Sequence, residues 1–150
     1  MKILFVCTGN ICRSPSAEAF LRHKVSAKGL SNYEIDSAAL TSYHIGDPPD
    51  PRAIAVGKTY GFDMSGLAAR KVKDDDFFHY DLIMAMDQGH FESLIRLCPD
   101  EFKHKIVLFH QYVSNTQQDV DDPYYGSIKN FEKMMEILDV ALDQLINKHT

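Results

Sequence analysis

The sequence feature that most constrains the fold lies near the N-terminus, where a short apolar run leads through a tight loop into a helix. Residues 3–6 read ILFV, and a continuous apolar run of this length favours a strand buried on both faces. Pro15 suits the first position of a helix, with Ser14 as the cap before it. Apolar residues then recur at helical spacing until about Lys28, and Gly29 follows as a stop signal. This part of the chain is therefore predicted to be a strand, a loop and a helix.

The rest of the chain alternates between strand and helix patterns in the same way. Further strands are predicted at residues 34–39, 82–86 and 105–109, and further helices from 51 to about 61, from 87 to about 97 and over 127–148. Residues 110–122 are predicted to form a long polar loop, and residues 64–73 an irregular stretch or a short helix. Strands that alternate with helices predict one α/β domain, with a parallel sheet and helices on both faces. Ligands of such sheets bind beyond the carboxyl ends of the strands, where the first loop, Asp87 and the loop carrying Asp122 all fall.

The loop after the first strand has the composition of an anion-binding site. It reads CTGNICRS, with five residues between Cys7 and Arg13. Backbone N–H groups at a helix N-terminus favour a bound anion, and Gly9 and Asn10 allow the backbone conformations that a tight nest requires. The planar fork of Arg13 matches two phosphoryl oxygens at once, and a cysteine at the floor of the nest would be held as the nucleophilic thiolate. The bare pattern also fits a buried strand-end cysteine and a surface arginine, but its position between strand and helix favours the functional interpretation.

Two motifs at opposite ends of the chain carry a resemblance to a known family. Residues 6–16, VCTGNICRSPS, resemble the phosphate-binding loop of the low-molecular-weight protein tyrosine phosphatases. Asp122-Pro123-Tyr124-Tyr125 resembles the Asp-Pro-aromatic motif that this family carries near its C-terminal end. The resemblance thus spans residues 1–150 as one phosphatase domain. It implies the fold called phosphatase I-like, a four-stranded parallel sheet with strand order 2-1-3-4.

The resemblance also implies catalytic roles for three residues. Cys7 is expected to attack phosphorus and form a phosphocysteine, while Arg13 holds the phosphoryl oxygens. Asp122 is expected to protonate the leaving group and then to activate water, without a metal or any other cofactor. Asp122 taken alone also fits a turn residue, and Asp121 and Asp119 are weaker candidates for the acid.

A second group of residues is expected to bind the substrate. From the loop these are Thr8, Gly9, Asn10, Ile11, Cys12 and Ser14. The Ser14 hydroxyl can donate to the Cys7 sulfur, and the family resemblance gives Asn10 the role of tying the loop in shape. Tyr43 and Tyr124 are expected to form aromatic walls that prefer phosphotyrosine, although Tyr43 also fits an exposed loop aromatic.

Two interpretations of Cys12 stay open. It fits a small buried hydrophobic residue, and it also fits a reversible disulfide partner of Cys7, a pairing known in some members of the family. Cys98 is expected to be structural. Tyr125 is expected to be exposed.

Charge and composition exclude several other classes of function. The net charge is −5, so no overall basic surface for nucleic acid is expected. The sequence has no apolar stretch long enough to cross a bilayer. Three cysteines do not suggest a disulfide framework, and a reducing cytoplasm is the expected location. The expected partners are phosphotyrosine-containing proteins, and the chain is expected to be a monomer, with weak self-association left open.

Several polar residues are assigned no catalytic role. The acidic run at 74–76 is predicted to be a solvated helix start. The histidines lack the spacing of a metal site, and those expected at the surface or in turns are His44, His79, His90, His104 and His110. Some eukaryotic members of the family place a histidine near the phosphate loop, where this chain has Gly66-Leu67-Ala68.

Three alternative functions are weighed against the phosphatase. A thioredoxin-coupled arsenate reductase resembles this loop but needs further cysteines, and only Cys98 is available. A protein arginine phosphatase resembles it too but carries threonine where Ile11 stands. A phosphotyrosine-binding module without activity would typically have lost one of the three catalytic residues, and all three are present.

Overall fold

A single parallel sheet organises the protein. The computed structural model describes residues 1–115 and 119–150. The strands are β1 Lys2–Cys7, β2 Glu34–Ala39, β3 Leu82–Ala85 and β4 Ile106–Leu108, in the order β2-β1-β3-β4. All pairings are parallel. The predicted single-domain α/β fold and its strand order are confirmed.

Strand β1 is the centre of the core. Ile3 and Phe5 face one apolar cluster and Leu4 and Val6 face the other, all four of them fully buried. Burial on both faces explains why the run is continuously apolar rather than alternating.

Helices cover both faces of the sheet. They are α1 Arg13–Ala27, α2 Pro51–Thr59, α3 Asp74–His79, α4 Gln88–Leu97, α5 Phe109–Ser114 and α6 Ile128–Lys148. The last helix buries the apolar stripe that the sequence predicts, from Phe131 to Ile146, and Ser127 caps its first turn. No described helix is both long and apolar enough to span a membrane.

Helix α1 begins two residues earlier than predicted. Cys12 occupies the N-cap position and makes no side-chain capping hydrogen bond. Ser14, predicted to be the cap, lies inside the first turn, and its hydroxyl contacts Cys7 instead. The prediction of a Ser14 cap was wrong because that hydroxyl serves the loop.

The predicted polar loop after β4 was wrong in its first part. The chain enters α5 at Phe109, which is buried and packs its ring edge-on against Phe5, with centroids 6.0 Å apart. The strand is correspondingly shorter than predicted, ending at Leu108. Residues 116–118 of the predicted loop lie outside the described part.

The acidic run starts α3 as predicted, but it is not wholly solvated. Asp76 is buried and accepts hydrogen bonds from the Arg70 guanidinium, at 2.9 and 3.1 Å. Burial opposes the charged form of Arg70, but its hydrogen bonds and ion pairs with Asp76 and Asp36 raise the pKa of that guanidinium overall. The pair anchors the segment before α3 beside β2, where Lys71 bridges to Ala39.

Candidate active site

The floor of the site is the loop between β1 and α1. Cys7 ends the strand with a side chain that is only 3% exposed, and its Sγ lies 2.9 Å from Ser14 Oγ. The carbonyls of Cys7 and Thr8 accept hydrogen bonds from the backbone of Leu40 and Thr41, which follow β2. The loop is thus fixed to the neighbouring strand end as well as to its own helix.

Asn10 is the internal brace of this loop. Its backbone is left-handed, with φ of 59°, which asparagine tolerates better than most residues. Its Nδ2 donates to Ser14 Oγ at 2.8 Å and to Ser37 Oγ at 2.9 Å, and its Oδ1 accepts from the Arg70 backbone N–H at 3.1 Å. Ser37 in turn donates to Glu18, a buried carboxyl whose pKa is raised by burial. A chain of buried hydrogen bonds therefore connects Glu18 with the Ser14 hydroxyl that contacts the sulfur.

The Arg13 guanidinium is buried and oriented by acidic and carbonyl oxygens. Its Nη1 donates to Asp87 Oδ2 at 2.8 Å and to the Val120 carbonyl at 3.0 Å, and its Nη2 lies 3.7 Å from Asp122 Oδ2. Burial alone would raise the pKa of Asp87, but the hydrogen bond from the His90 N–H, with the charge of Arg13, lowers it overall. Asp87 is thus an ionised partner that holds the guanidinium in one orientation.

His90 belongs to the site, and the expectation that it lies at the surface or in a turn was wrong. It is buried in the first turn of α4, with Nε2 2.8 Å from Thr8 Oγ1 and 3.4 Å from Arg13 Nη2. Burial, and then the charge of Arg13, lower its pKa to about 4. A neutral imidazole with its proton on Nδ1 has one lone pair on Nε2, which Thr8 and the longer contact from Arg13 would share. The available sequence signal was its position three residues after Asp87, whose side chain caps α4.

His110 was also expected at the surface or in a turn, and it too is buried, in α5. Burial lowers the pKa of its ring. Its ring packs against that of Phe109, and it does not line the cavity described next.

A cavity of about 530 Å³ opens above the loop. It is lined by the predicted residues Cys7, Thr8, Gly9, Ile11, Cys12, Arg13, Tyr43, Asp122 and Tyr124. Asn10 and Ser14 lie buried outside this lining. Asp119 accepts a hydrogen bond from Gln88 N–H instead of lining the cavity. Sequence reasoning missed Thr41 and His44, which reach the cavity from the loop after β2.

The cavity is polar at its floor and aromatic at its mouth. Asp122 is 43% exposed, and its Oδ1 accepts from the Tyr124 N–H at 3.0 Å. Tyr43 and Tyr125 are 87% and 92% exposed, and the Tyr124 ring lies 6.4 Å from that of His44. Gly9 does not have the left-handed backbone that the sequence suggested, which Asn10 has instead. A Cβ on Gly9 would lie 3.0 Å from Cδ2 of His44, so a larger residue would require that ring to shift. The arrangement can accept an anionic group at the floor and an apolar ring between the walls.

Cys12 is buried, and all three cysteines are free thiols. Burial, and then the negative charges of Asp50 and Cys7, raise the pKa of the Cys12 thiol well above its ordinary value. Of the two neighbouring cysteines, only Cys7 has a hydroxyl contact at its sulfur among the described interactions. No cluster of metal-ligating side chains occurs within residues 1–115 and 119–150.

Comparison with known proteins finds relatives that match nearly the whole chain. The family model for "Low molecular weight phosphotyrosine protein phosphatase" matches residues 2–149. Enzymes of that name from Gallus gallus and Homo sapiens are 43% and 40% identical, covering 89% of this chain and 86% of theirs. A protein tyrosine phosphatase structure from Entamoeba histolytica superposes with a TM-score of 0.92 at 40% identity, covering 99% of this chain and 96% of that one. The YwlE arginine phosphatase superposes with a TM-score of 0.92 at 27% identity, covering 99% and 95%.

Proposed function

The chain belongs to the low molecular weight phosphotyrosine protein phosphatase family, and on that basis we propose that it hydrolyses phosphotyrosine in proteins through a phosphocysteine intermediate. The observation that carries the proposal is the convergence of Cys7, Arg13 and Asp122 on one cavity, with Arg13 and Asp122 only 3.7 Å apart. Residues 1–150 form the catalytic domain, which needs no cofactor and acts as a monomer. Its free cysteines suit the reducing cytoplasm.

In the first step, the Cys7 thiolate attacks phosphorus in line with the ester oxygen. The S–P bond forms while the P–O bond to the tyrosine ring breaks, and Asp122 gives its proton to the departing phenolate oxygen. Arg13 and the loop N–H groups hold the equatorial oxygens, where negative charge concentrates in the transition state.

In the second step, water attacks the phosphocysteine. Asp122, now a carboxylate, accepts the proton of that water, the S–P bond breaks and Cys7 leaves as a thiolate. The Ser14 hydroxyl at 2.9 Å stabilises the departing sulfur, and Asn10 fixes the position of that hydroxyl.

The walls of the cavity favour an aryl ester. Tyr124, Tyr43 and Ile11 line the cavity with aromatic and aliphatic surface. Aromatic contacts stabilise a bound substrate whose ring lies between these side chains. Thr8, Gly9 and Cys12 also line this cavity. Phosphotyrosine peptides are therefore the proposed substrates, with phosphoarginine peptides as the competing class to be tested.

The test compares wild type, Cys7→Ser and Cys98→Ser on phosphotyrosyl and phosphoarginyl peptides with a chelator present. We expect wild type to prefer phosphotyrosine, and Cys7→Ser to lose turnover while still binding inorganic phosphate, because the loop and Arg13 remain. Cys98→Ser is the matched control, since that buried cysteine lies at the end of α4. Substantial turnover by Cys7→Ser would exclude a phosphocysteine, and a preference for phosphoarginine would overturn the substrate class.

A further inference from the structure

Arg52 connects the segment that carries Asp122 to the body of the protein. It lies in the first turn of α2, and its Nη1 and Nη2 donate to the carbonyls of Gly126 and Tyr124, each at 3.0 Å. Its guanidinium carbon lies 4.4 Å from the Phe131 ring centroid and 5.9 Å from that of Tyr124. The Arg52 guanidinium therefore binds the backbone two and four residues after Asp122, and it packs against the ring of Phe131.

The other side of the same guanidinium is fixed to the phosphate loop through Asp50. Arg52 Nε and Nη2 donate to the two oxygens of the Asp50 carboxylate at 3.0 and 2.9 Å. Asp50 is only 8% exposed, and its backbone N–H donates to the Ile11 carbonyl at 2.8 Å. A continuous bracket thus runs from the phosphate loop through Asp50 and Arg52 to the backbone beside Asp122.

The two ends of the Asp122 segment are secured in different ways. At the first end, the Val120 N–H donates to the Met86 carbonyl at 2.8 Å, and the Val120 carbonyl accepts from Arg13. At the second end, Arg52 grips Tyr124 and Gly126. Asp122 itself is half-exposed, and its described contacts are the Tyr124 N–H and the longer approach to Arg13. Its position over the floor therefore depends on how firmly the flanking backbone is held.

We infer that Arg52 is a positioning residue. By joining the phosphate loop to the backbone that follows Asp122, it fixes the distance between Asp122 and that loop. The inference rests on the proposed function, in which Asp122 protonates the leaving group. It assigns Arg52 no contact with the reacting atoms.

This role predicts a selective kinetic effect. A phenolate of high pKa needs its proton in the transition state, whereas an acidic nitrophenolate departs without it. If Asp122 is displaced while the phosphate loop stays intact, rates fall for poor leaving groups and change little for good ones. A merely structural loss of folded enzyme would lower all rates by the same factor.

The experiment is a series of aryl phosphates of graded leaving-group pKa, measured for wild type, Arg52→Met, Arg52→Lys and Arg96→Met. For the poorest leaving groups we expect Arg52→Met to lose about 10- to 100-fold in kcat/KM, the scale of a misplaced catalytic group. Arg52→Lys keeps the charge but not the fork and should lose less. Arg96→Met is the control, because that arginine lies in the last turn of α4 and contacts Ser93.

A further variant guards against misfolding. Arg52→Met leaves the largely buried Asp50 carboxylate without its cation, which is costly. Asp50→Asn/Arg52→Met removes that charge and keeps a side chain that caps α2. The double variant should show the same leaving-group dependence as Arg52→Met, and its inhibition constant for inorganic phosphate should equal that of wild type.

Asp122→Asn in the same series separates the positioning role of Arg52 from the assignment of Asp122 as the general acid. If Asp122→Asn shows a steep dependence while Arg52→Met and Asp50→Asn/Arg52→Met lose activity uniformly or not at all, the bracket is wrong and the acid assignment stands. If Asp122→Asn shows no dependence, the acid assignment fails and the inference fails with it. Selective loss in both supports the inference.

Discussion

At the scale of single residues, the two ends of the Arg13 guanidinium have different tasks. Nη1 is engaged at short distance by Asp87 and Val120, whereas the contacts of Nη2 within the described residues are the looser approaches to His90 and Asp122, at 3.4 and 3.7 Å. Under the proposed function, the fork is oriented through Nη1, and Nη2 is left for an incoming anion. A bound phosphate would exchange with the looser contacts and keep the Asp87 pair.

Arg13→Lys tests this division. An ammonium cannot reach Asp87 and a phosphoryl oxygen with fixed geometry, so both phosphate binding and kcat should fall. We expect kcat to drop by roughly 10²–10³-fold, the range for loss of one transition-state donor. The measurements are kcat/KM on an aryl phosphate and the inhibition constant for inorganic phosphate, with Arg96→Lys as the control. Near wild-type values for Arg13→Lys would contradict the assignment.

At the scale of elements, the phosphate loop is held by its own side chains as much as by the helix that follows. Asn10 combines a left-handed backbone with three hydrogen bonds, to Ser14, Ser37 and Arg70. Cys12, at the N-cap of α1, makes no side-chain capping hydrogen bond, and free N–H groups at a helix start suit the binding of an anion. The loop is therefore preorganised from beneath, through side chains that do not line the cavity.

Asn10→Ala should lower the free energy of unfolding by more than the strain of a left-handed alanine alone would. Asn115 is the matched control, because it is an exposed asparagine with φ of 57° at the end of α5. Asn115→Ala should lower the free energy of unfolding by about 1–2 kcal/mol, the cost of a left-handed alanine. Asn10→Ala should lose about 2 kcal/mol more, because it also leaves buried partners unsatisfied. Denaturant unfolding and aryl phosphate hydrolysis measure both effects, and equal losses in the two variants would show that the network contributes nothing.

At the scale of the whole molecule, the sequence predicts best what lies close together along the chain. The strand, the loop and the start of α1 form one local pattern, so the proposed anion site with Cys7 and Arg13 could be predicted from the sequence. The contact of His90 with Thr8 and that of Arg52 with Tyr124 could not be predicted, because the two partners are 82 and 72 residues apart in the sequence. Helix α5 was missed because Phe109 continues the apolar run of β4 without a turn signal.

The environment of His90 makes the stability of the whole protein depend on pH. Folding lowers its pKa from 6.5 to about 4, through burial and the nearby charge of Arg13, against the opposing charges of Asp87 and Asp122. Between these values the unfolded chain binds more protons than the folded one, so stability falls as pH falls from about 6.5 to about 4 and this contribution then levels off. His110 and His149, whose pKa values are also lowered, act in the same direction, and the raised pKa of Glu18 acts in the opposite one.

Replacing His90 isolates its share of this dependence. In His90→Gln the amide oxygen can still accept from Thr8 and Arg13, but it does not titrate. The free energy of unfolding of wild type should therefore lose about 3 kcal/mol more than that of His90→Gln between pH 6.5 and 4. Urea unfolding across this range measures the slope, and His104→Gln, an exposed histidine in the 3₁₀ helix Asp100–Lys105, should keep the wild-type slope. Parallel curves for wild type and His90→Gln would mean that the folded protein protonates His90 as readily as the unfolded chain does. His90 could then not be the neutral acceptor that Thr8 and Arg13 share.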